Sequence, residues 1–438
     1  MVKKPLSFAV AVALGGISCA AQADNIWQIY EKSLESDPVI LRAAAQRQEA
    51  FEAITEARAP LLPQISVTGQ YTDTSSNRDF RESDGTSATV GLTQEIYRQE
   101  SWITLDLAEK SAHQADVNYN LQLQNLMLRV SQAYFDVLQA MDDVEFIAAE
   151  KRAIERQLEQ TKQRFAVGLT AITDVHEAQA EYDRSVADEI VQLNVLENSY
   201  EGLRVLTGLS HRDLDVLNTE LFSPTKPQPE SSDGWQKIAT DQNLSLAVSR
   251  VATDIAKQNI DLAAAGHMPT FSLFAQHDTS NVEPDFDSGR PDSYDDTTIG
   301  VQVSVPIYTG GAISSRERQA QHAFVATSEQ MNETYREVNR STINNYNNVI
   351  ASISAIRAFE QTVVSRVSAL EATEAGFEVG TRTIVDVLDA TRNLYDAKRQ
   401  LSQARYSYIL SVLQLKFSAG NLTEQDLQDI NKGLQRPS

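Results

Sequence analysis

The chain has 438 residues, 60 of them acidic against 38 basic, for a net charge of −22. That balance argues against nucleic acid as a partner, because nothing offsets the phosphate charge. A single cysteine, Cys19, excludes a disulfide scaffold and a thiolate metal centre, and no later stretch reaches the roughly 18 consecutive apolar residues of a membrane-crossing helix.

Residues 1–23 read as a secretory signal. Lys3 and Lys4 form the positive end, Leu6 to Ile17 is mostly apolar, and Ala21-Gln22-Ala23 is a small-residue cleavage site. The mature chain is expected to begin at Asp24, without Cys19, and loss of the two lysines takes the charge from −22 to −24. An alternative is a lipid anchor on Cys19, although Gly16 stands where such a signal usually carries Leu.

The mature chain is one unit written twice: a first repeat over 24–209, an inter-repeat segment at 210–232, a second repeat over 233–418 and a polar tail at 419–438. Each repeat opens with a helix, expected at Asn25–Ala59 and Asp233–Ala265. At a spacing of 206, Ile54 matches Ile260, Ala57 matches Ala263, Pro63 matches Pro269 and Ser66 matches Ser272.

Two alternating runs come next in each repeat. Ile65, Val67, Gly69 and Tyr71 are followed by Val90, Leu92 and Ile96. Phe271, Leu273 and Ala275 are followed by Ile299, Val301, Val303 and Val305. Period-two alternation predicts strands with one apolar face, each about ten residues, the length of a tilted membrane-spanning strand. The joining loops are expected at Thr72–Ser87 and Asp278–Asp296. In the second, Asp285-Phe-Asp287-Ser-Gly289 departs from calcium-loop spacing and reads as solvated surface.

The longest helices are expected at Ser101–Ala166 and Ala312–Glu378. Val130, Tyr134, Val137, Met141, Val144 and Ala148 give one coiled-coil seam, and Ile343, Tyr346, Ile350 and Ile353 another. Each long helix stops at a glycine, in Phe165-Ala-Val-Gly168 and Phe377-Glu-Val-Gly380, and a return helix comes after it. In the second return helix Val387, Leu394, Leu401, Tyr408 and Leu415 recur every seventh position. A small residue lies three places after each: Ala390, Ala397, Ala404, Ser411 and Ser418.

Four strands cannot close a membrane barrel, and an open edge in lipid leaves backbone groups unpaired. Several copies must then pool their strands; the pattern does not choose between two, three or four. The rival reading is a structural coiled-coil protein of the periplasm or surface, its strands forming a soluble cap. No G-x-S-x-G, P-loop or H-E-x-x-H occurs, and His113, His176 and His322 fall on helices at no ligand spacing, so no enzyme, cofactor or metal is expected.

The strings Glu56–Gln64, Val167-Gly-Leu169, Ala171–Val175, Lys226–Pro229, Pro306–Gly311 and Gly380–Thr391, taken together and in order, resemble the TolC / outer membrane factor family over the whole mature length. These are exit ducts of the Gram-negative outer membrane. The resemblance implies a mainly α fold with a small β part. Three copies would build a twelve-stranded β-barrel in outer-membrane lipid and a coiled-coil α-barrel across the periplasm, with an equatorial belt from residues 210–232 and 419–438. It implies export of drugs, bile salts, dyes and proteins, with a periplasmic adaptor and an inner-membrane RND or ABC transporter as partners.

It also implies a gate. Asp386 and Asp389, three apart on one helix face, would form rings of carboxylates at the entrance. Crowding is expected to raise some of their pKa values. Asp386 also fits a capping box with Thr383. Arg382 would bond Thr173 and Asp174 of a neighbouring copy, and Gln157 would pair with Glu374. Phe377 stands where the family usually has Tyr, so one link to Asp174 would be missing. The turns Val167-Gly168-Leu169 and Val379-Gly380-Thr381 would meet the adaptor.

Overall fold

The computed structural model describes residues 24–75, 83–284 and 293–436. The first repeat comprises α1 (Ile26–Ser36), α2 (Pro38–Arg58), β1 (Gln64–Thr74), β2 (Ser83–Tyr97), α3 (Gln99–Ala166) and α4 (Ile172–Thr207). After the short β3 (Val216–Leu217) come α5 (Ser232–Gln242), α6 (Leu244–Ala265), β4 (Thr270–Pro284), β5 (Ser293–Ser304), α7 (Ala312–Glu378) and α8 (Ile384–Ala419). The chain closes with α9 (Glu424–Asn431) and β6 (Leu434–Gln435).

The opening helix of each repeat is two helices, not one. At Asp37 the backbone is extended, and its carboxylate accepts from Val39 N (2.6 Å) and Ile40 N (3.2 Å), starting α2 at Pro38. At Asn243, the same place in the second repeat, the side chain caps Leu246 N at 2.9 Å and donates to the Ser418 carbonyl at 2.9 Å. A short polar side chain that caps the next helix competes with continuing the last one.

With 68 and 67 residues, α3 and α7 are each roughly 100 Å long at about 1.5 Å per residue. The α3 seam lies as expected at Val130, Tyr134 and Val137, which are buried; beyond them Met141, Val144 and Ala148 are only half-buried, and the buried row passes through Ile147 and Ile154. The α7 seam holds at Ile353 but lies one residue earlier at two other positions: Thr342 and Val349 are buried where Ile343 and Ile350 are only half-buried, and Val338 and Ile356 extend the buried row. Thr342 reads as polar in the sequence. Its hydroxyl is satisfied by the carbonyls of Val338 (2.8 Å) and Ser418 (3.3 Å), so it enters the core. On α8 the large row is buried at Val387, Leu394, Tyr408 and Leu415, and the small row at Ala397, Ala404 and Ser418.

The strands form one antiparallel sheet in the order β1-β2-β4-β5, so β1 and β5 are its open edges. The expected loops are shorter than the alternation suggested. Backbone pairing continues through polar residues, as in Thr72↔Gly85 and Thr279↔Asp295. Ile65, Val67, Ile299, Val301 and Val303 are exposed on one face. Residues 1–23, with Cys19, and the segment Asp285–Gly289 lie outside the described residues.

The polar tail packs against the body. Leu422 and Leu427 are buried in the main core with Tyr30, Tyr134, Phe135 and Trp235, and β6 pairs with β3 through Leu217↔Leu434. The tail and the inter-repeat segment thus tie together beside the middle of the long helices. A second, small core lies where α3 and α7 end: Ile154, Leu158, Ala178, Phe377, Ile384, Val387 and Leu388. No helix among the described residues is long and apolar enough to cross a membrane.

Candidate functional site

At the far end of the helices the two glycine turns have the same build. Gly168 (φ +79°) and Gly380 (φ +82°) occupy the left-handed region, which glycine enters without Cβ strain. Leu169 N donates to Arg164 O (2.8 Å), and Thr381 N to Gly376 O (2.8 Å), closing both helices. Val167, Leu169 and Val379 project outward from these turns and are exposed. Gly168 is thus flanked by two exposed apolar side chains, and Gly380 by one, with Thr381 on its other side.

Beyond Gly380, α8 starts with the expected capping box. Asp386 N donates to Thr383 Oγ1 at 3.2 Å, and Thr383 N donates to Asp386 Oδ2 at 2.8 Å. The Thr383 amide and hydroxyl hold the Asp386 carboxyl below its ordinary value, with Arg382 adding to the effect. Within one chain the cap stabilises the Asp386 anion; the rise expected from crowding concerns rings formed by several copies. Asp389 is exposed and pairs with Arg392 at 3.3 Å, and Arg392 is also paired to Glu181 on α4.

Arg382 is exposed and makes no ion pair among the described residues of the chain. Its aliphatic stem folds over Gly376, where a Cβ would lie 2.7 Å from Arg382 Cγ. Asp174 accepts from the Thr170 hydroxyl and from Ala171 N (3.4 Å), and Thr173 is exposed. The chain thus leaves Arg382 apart from Thr173 and Asp174. Gln157 and Glu374 do meet within one chain, Nε2 to Oε1, at 3.5 Å. Phe377 belongs to the small core, with the Arg164 guanidinium over its ring.

One set of residues escaped the sequence reading. Between α3, α4 and α8 a groove of about 480 Å³ is lined by Asp143, Glu150, Glu181, Arg392 and Arg399. Arg399 reaches Glu150 at 3.4 Å, and Asp142 accepts from Ser402 and from the Tyr406 hydroxyl (2.9 Å). The recurrence of Arg392 and Arg399 seven places apart was the available signal. Burial pushes the carboxyls of Asp142, Asp143 and Glu150 up, against the pull of Ser402 on the first and of Arg399 on the other two. No group of three or more potential ligand residues is arranged to hold a metal among the described residues.

Comparison with known proteins agrees with this architecture. The family model for outer membrane efflux proteins matches residues 29–209 and again 235–421. The chain is 51% identical to the outer membrane protein TolC of Vibrio cholerae over 435 residues, covering 99% of each. It is 28% identical to the proteases secretion protein PrtF of Dickeya chrysanthemi, over 98% of this chain and 95% of that one. The crystal structure of the outer membrane protein VceC of Vibrio cholerae superposes with a TM-score of 0.75 at 18% identity, covering 90% of this chain and 96% of that one. The chain belongs to the outer membrane efflux protein family: it is an outer-membrane transport conduit and not an enzyme.

Proposed function

We propose that three copies assemble into one channel-tunnel, with twelve strands as a barrel in the outer membrane and twelve long helices as a conduit across the periplasm. The observation that carries this is the open four-stranded sheet, apolar on one exposed face and unpaired along β1 and β5. In lipid each unpaired backbone group costs several kcal/mol, so identical copies must complete the ring. The cargo would be small toxic compounds, and proteins as well; a relative at 28% identity carries the name of a protease secretion protein.

The α3–α4 and α7–α8 tips would form the periplasmic entrance. Asp386 and Asp389 would supply rings of negative charge that favour cations. Arg382, without an ion pair among the described residues of its own chain, would reach Thr173 and Asp174 of a neighbour, and Gln157–Glu374 would brace the closed form from inside. The exposed Val167-Gly168-Leu169 and Val379-Gly380-Thr381 turns would receive a periplasmic adaptor coupled to an inner-membrane RND or ABC transporter.

Single-channel recording in planar bilayers tests this reading. The wild-type protein is expected to conduct poorly and to select cations, and Arg382→Ala to raise its conductance. Monomeric protein in detergent that forms no channels would overturn the assembly, and unchanged Arg382→Ala conductance would overturn the gate.

A further inference from the structure

The two hairpins are copies in register as well as in sequence. In β1–β2, Gln64 pairs with Thr93, Ile65 with Leu92 and Tyr71 with Thr86. A displacement of 206 residues for β1 and 211 for β2 turns these into Thr270 with Ser304, Phe271 with Val303 and His277 with Thr297, the pairs found in β4–β5. The two hairpins meet within the chain at the β2–β4 junction. There Gln94 pairs with Leu273, Leu92 with Ala275 and Val90 with His277. Past an irregularity at Glu95, Tyr97 reaches Phe271, and their rings meet edge to face at 6.1 Å.

The same displacements carry β2 onto β5 and β4 back onto β1. They turn the internal junction into one between β5 and β1, the two opposite edges of the sheet. One chain cannot make that junction, but two copies can. The transposed pairs are Val305 with Val67, Val303 with Gly69 and Val301 with Tyr71, and Tyr308 takes the place of Tyr97 against Ile65 in the place of Phe271. All these positions lie on one face of the sheet. A shift by one residue would turn every β1 side chain to the other face, so only even slips compete.

Exposure points to the same contact independently. Ile307 and Tyr308 are 93% and 87% exposed, while their counterparts Ile96, beside the internal junction, and Tyr97, within it, are 57% and 38% exposed. Ile65 is 72% exposed, whereas its counterpart Phe271 is half-buried. The uncovered residues are those that the internal junction covers in the other repeat.

We propose that β5 of one copy pairs antiparallel with β1 of a second copy in this register, with Tyr308 seated on the second copy's Ile65. This deepens the assembly reading and rests on it: the partner is a second copy of this chain, and the internal junction is the template for the intermolecular one.

Cysteine cross-linking in outer-membrane fractions tests the register, since Cys19 is the only native cysteine. Val305→Cys would be combined in turn with Val67→Cys, Gly69→Cys and Tyr71→Cys, oxidised mildly and run without reductant. The Val67→Cys pair is expected to link fastest and to give a covalent trimer that reductant dissolves. Fastest linking by another pair, or no linking in a protein that still runs as a native trimer, overturns the register and leaves the trimer standing. No linking in a protein that is monomeric in detergent overturns both. In parallel, Tyr308→Ala is expected to lower the dissociation temperature of the assembly, and adding Ile65→Ala is expected to lower it little further. Additive losses would overturn the Tyr308–Ile65 contact.

Discussion

The guanidinium of Arg164, at the end of α3, lies over the ring of Phe377, at the end of α7, 4.7 Å from its centroid. The two helical hairpins are therefore joined at the tip by a cation on an aromatic face as well as by the small core around Leu158 and Ile384. Phe377 has a role here that its missing hydroxyl does not describe: it is the buried part of a link between the repeats.

Phe377→Ala should open this tip without unfolding the rest. Truncating a buried Phe costs about 3 kcal/mol or more, and the main core around Tyr134 and Phe135 is a separate cluster. The expected outcome is faster tryptic cleavage at Arg164 and Arg382 with an unchanged melting temperature for the body. Phe377→Tyr should keep the packing and add a donor toward Asp174. A new hydrogen bond of about 1 kcal/mol would lower the conductance of the closed channel. Unchanged conductance would mean that the hydroxyl finds no acceptor.

Asp386 and Asp389 should separate by substitution. Asp386 is bound into the Thr383 cap, whereas Asp389 pairs with Arg392 on its own helix turn. Asp389→Asn is expected to weaken cation selectivity in bilayers and leave the helix intact. Asp386→Asn is expected to weaken selectivity and also fray the start of α8, read as faster hydrogen exchange near Ile384. Thr383→Ala, costing about 1 kcal/mol of cap, should fray the helix and keep the selectivity. Equal effects of the two aspartates on exchange would contradict this division.

The parts of the molecule with a period were legible in the sequence, and those without one were not. The alternation at Ile299–Val305 and the seven-residue row from Val387 to Leu415 predicted their elements and faces because each side chain repeats one environment. Asp37 and Asn243 each break a helix by capping the next, a local contest that apolar spacing does not register. Thr342 entered the α7 seam because two carbonyls satisfy its hydroxyl, a fact of tertiary partners. The two-residue strands β3 and β6 are too short for any pattern. The tip was legible through its glycines, but Arg164 was not, since nothing in spacing links it to an aromatic on the other hairpin.

Gly420 and Gly208 hold matching places after α8 and α4, both in the left-handed region at φ +79° and +72°. Their surroundings differ. A Cβ on Gly420 would overlap the Gln242 carbonyl and lie 2.6 Å from Asn243 Cα, while a Cβ on Gly208 would meet nothing within 4 Å. Gly208→Ala should therefore cost only the left-handed backbone, about 1–2 kcal/mol. Gly420→Ala must in addition push α8 away from the α5–α6 corner, where Asn243 is tied to Ser418. The expected order of melting temperatures is wild type, then Gly208→Ala, then Gly420→Ala well below. Equal losses would show that the corner yields easily.

The acids of α3 facing α8 should make the protein more stable in mild acid. Burial raises the Asp142 carboxyl; hydrogen bonds from Ser402 and Tyr406 and the charge of Arg405 oppose the shift, and Glu145 adds to it. Asp143 and Glu150 are raised by burial against the pull of Arg399. A carboxyl whose pKa is higher folded than unfolded binds its proton more tightly in the folded chain. Its ionisation costs the fold stability; that cost is complete above the folded pKa and gone below the unfolded one. Asp24 and Asp386 are lowered instead, so their stabilisation is lost only as the pH falls below the ordinary carboxylate range. Between pH 7 and about 4.5 the raised groups should dominate, and the melting temperature should rise as the pH falls. Asp142→Asn removes one of them while keeping an oxygen for Ser402 and Tyr406, so its rise should be smaller. Parallel curves for the variant and the wild type would mean that Asp142 titrates as an ordinary surface acid and that the α3–α8 contact carries no such dependence.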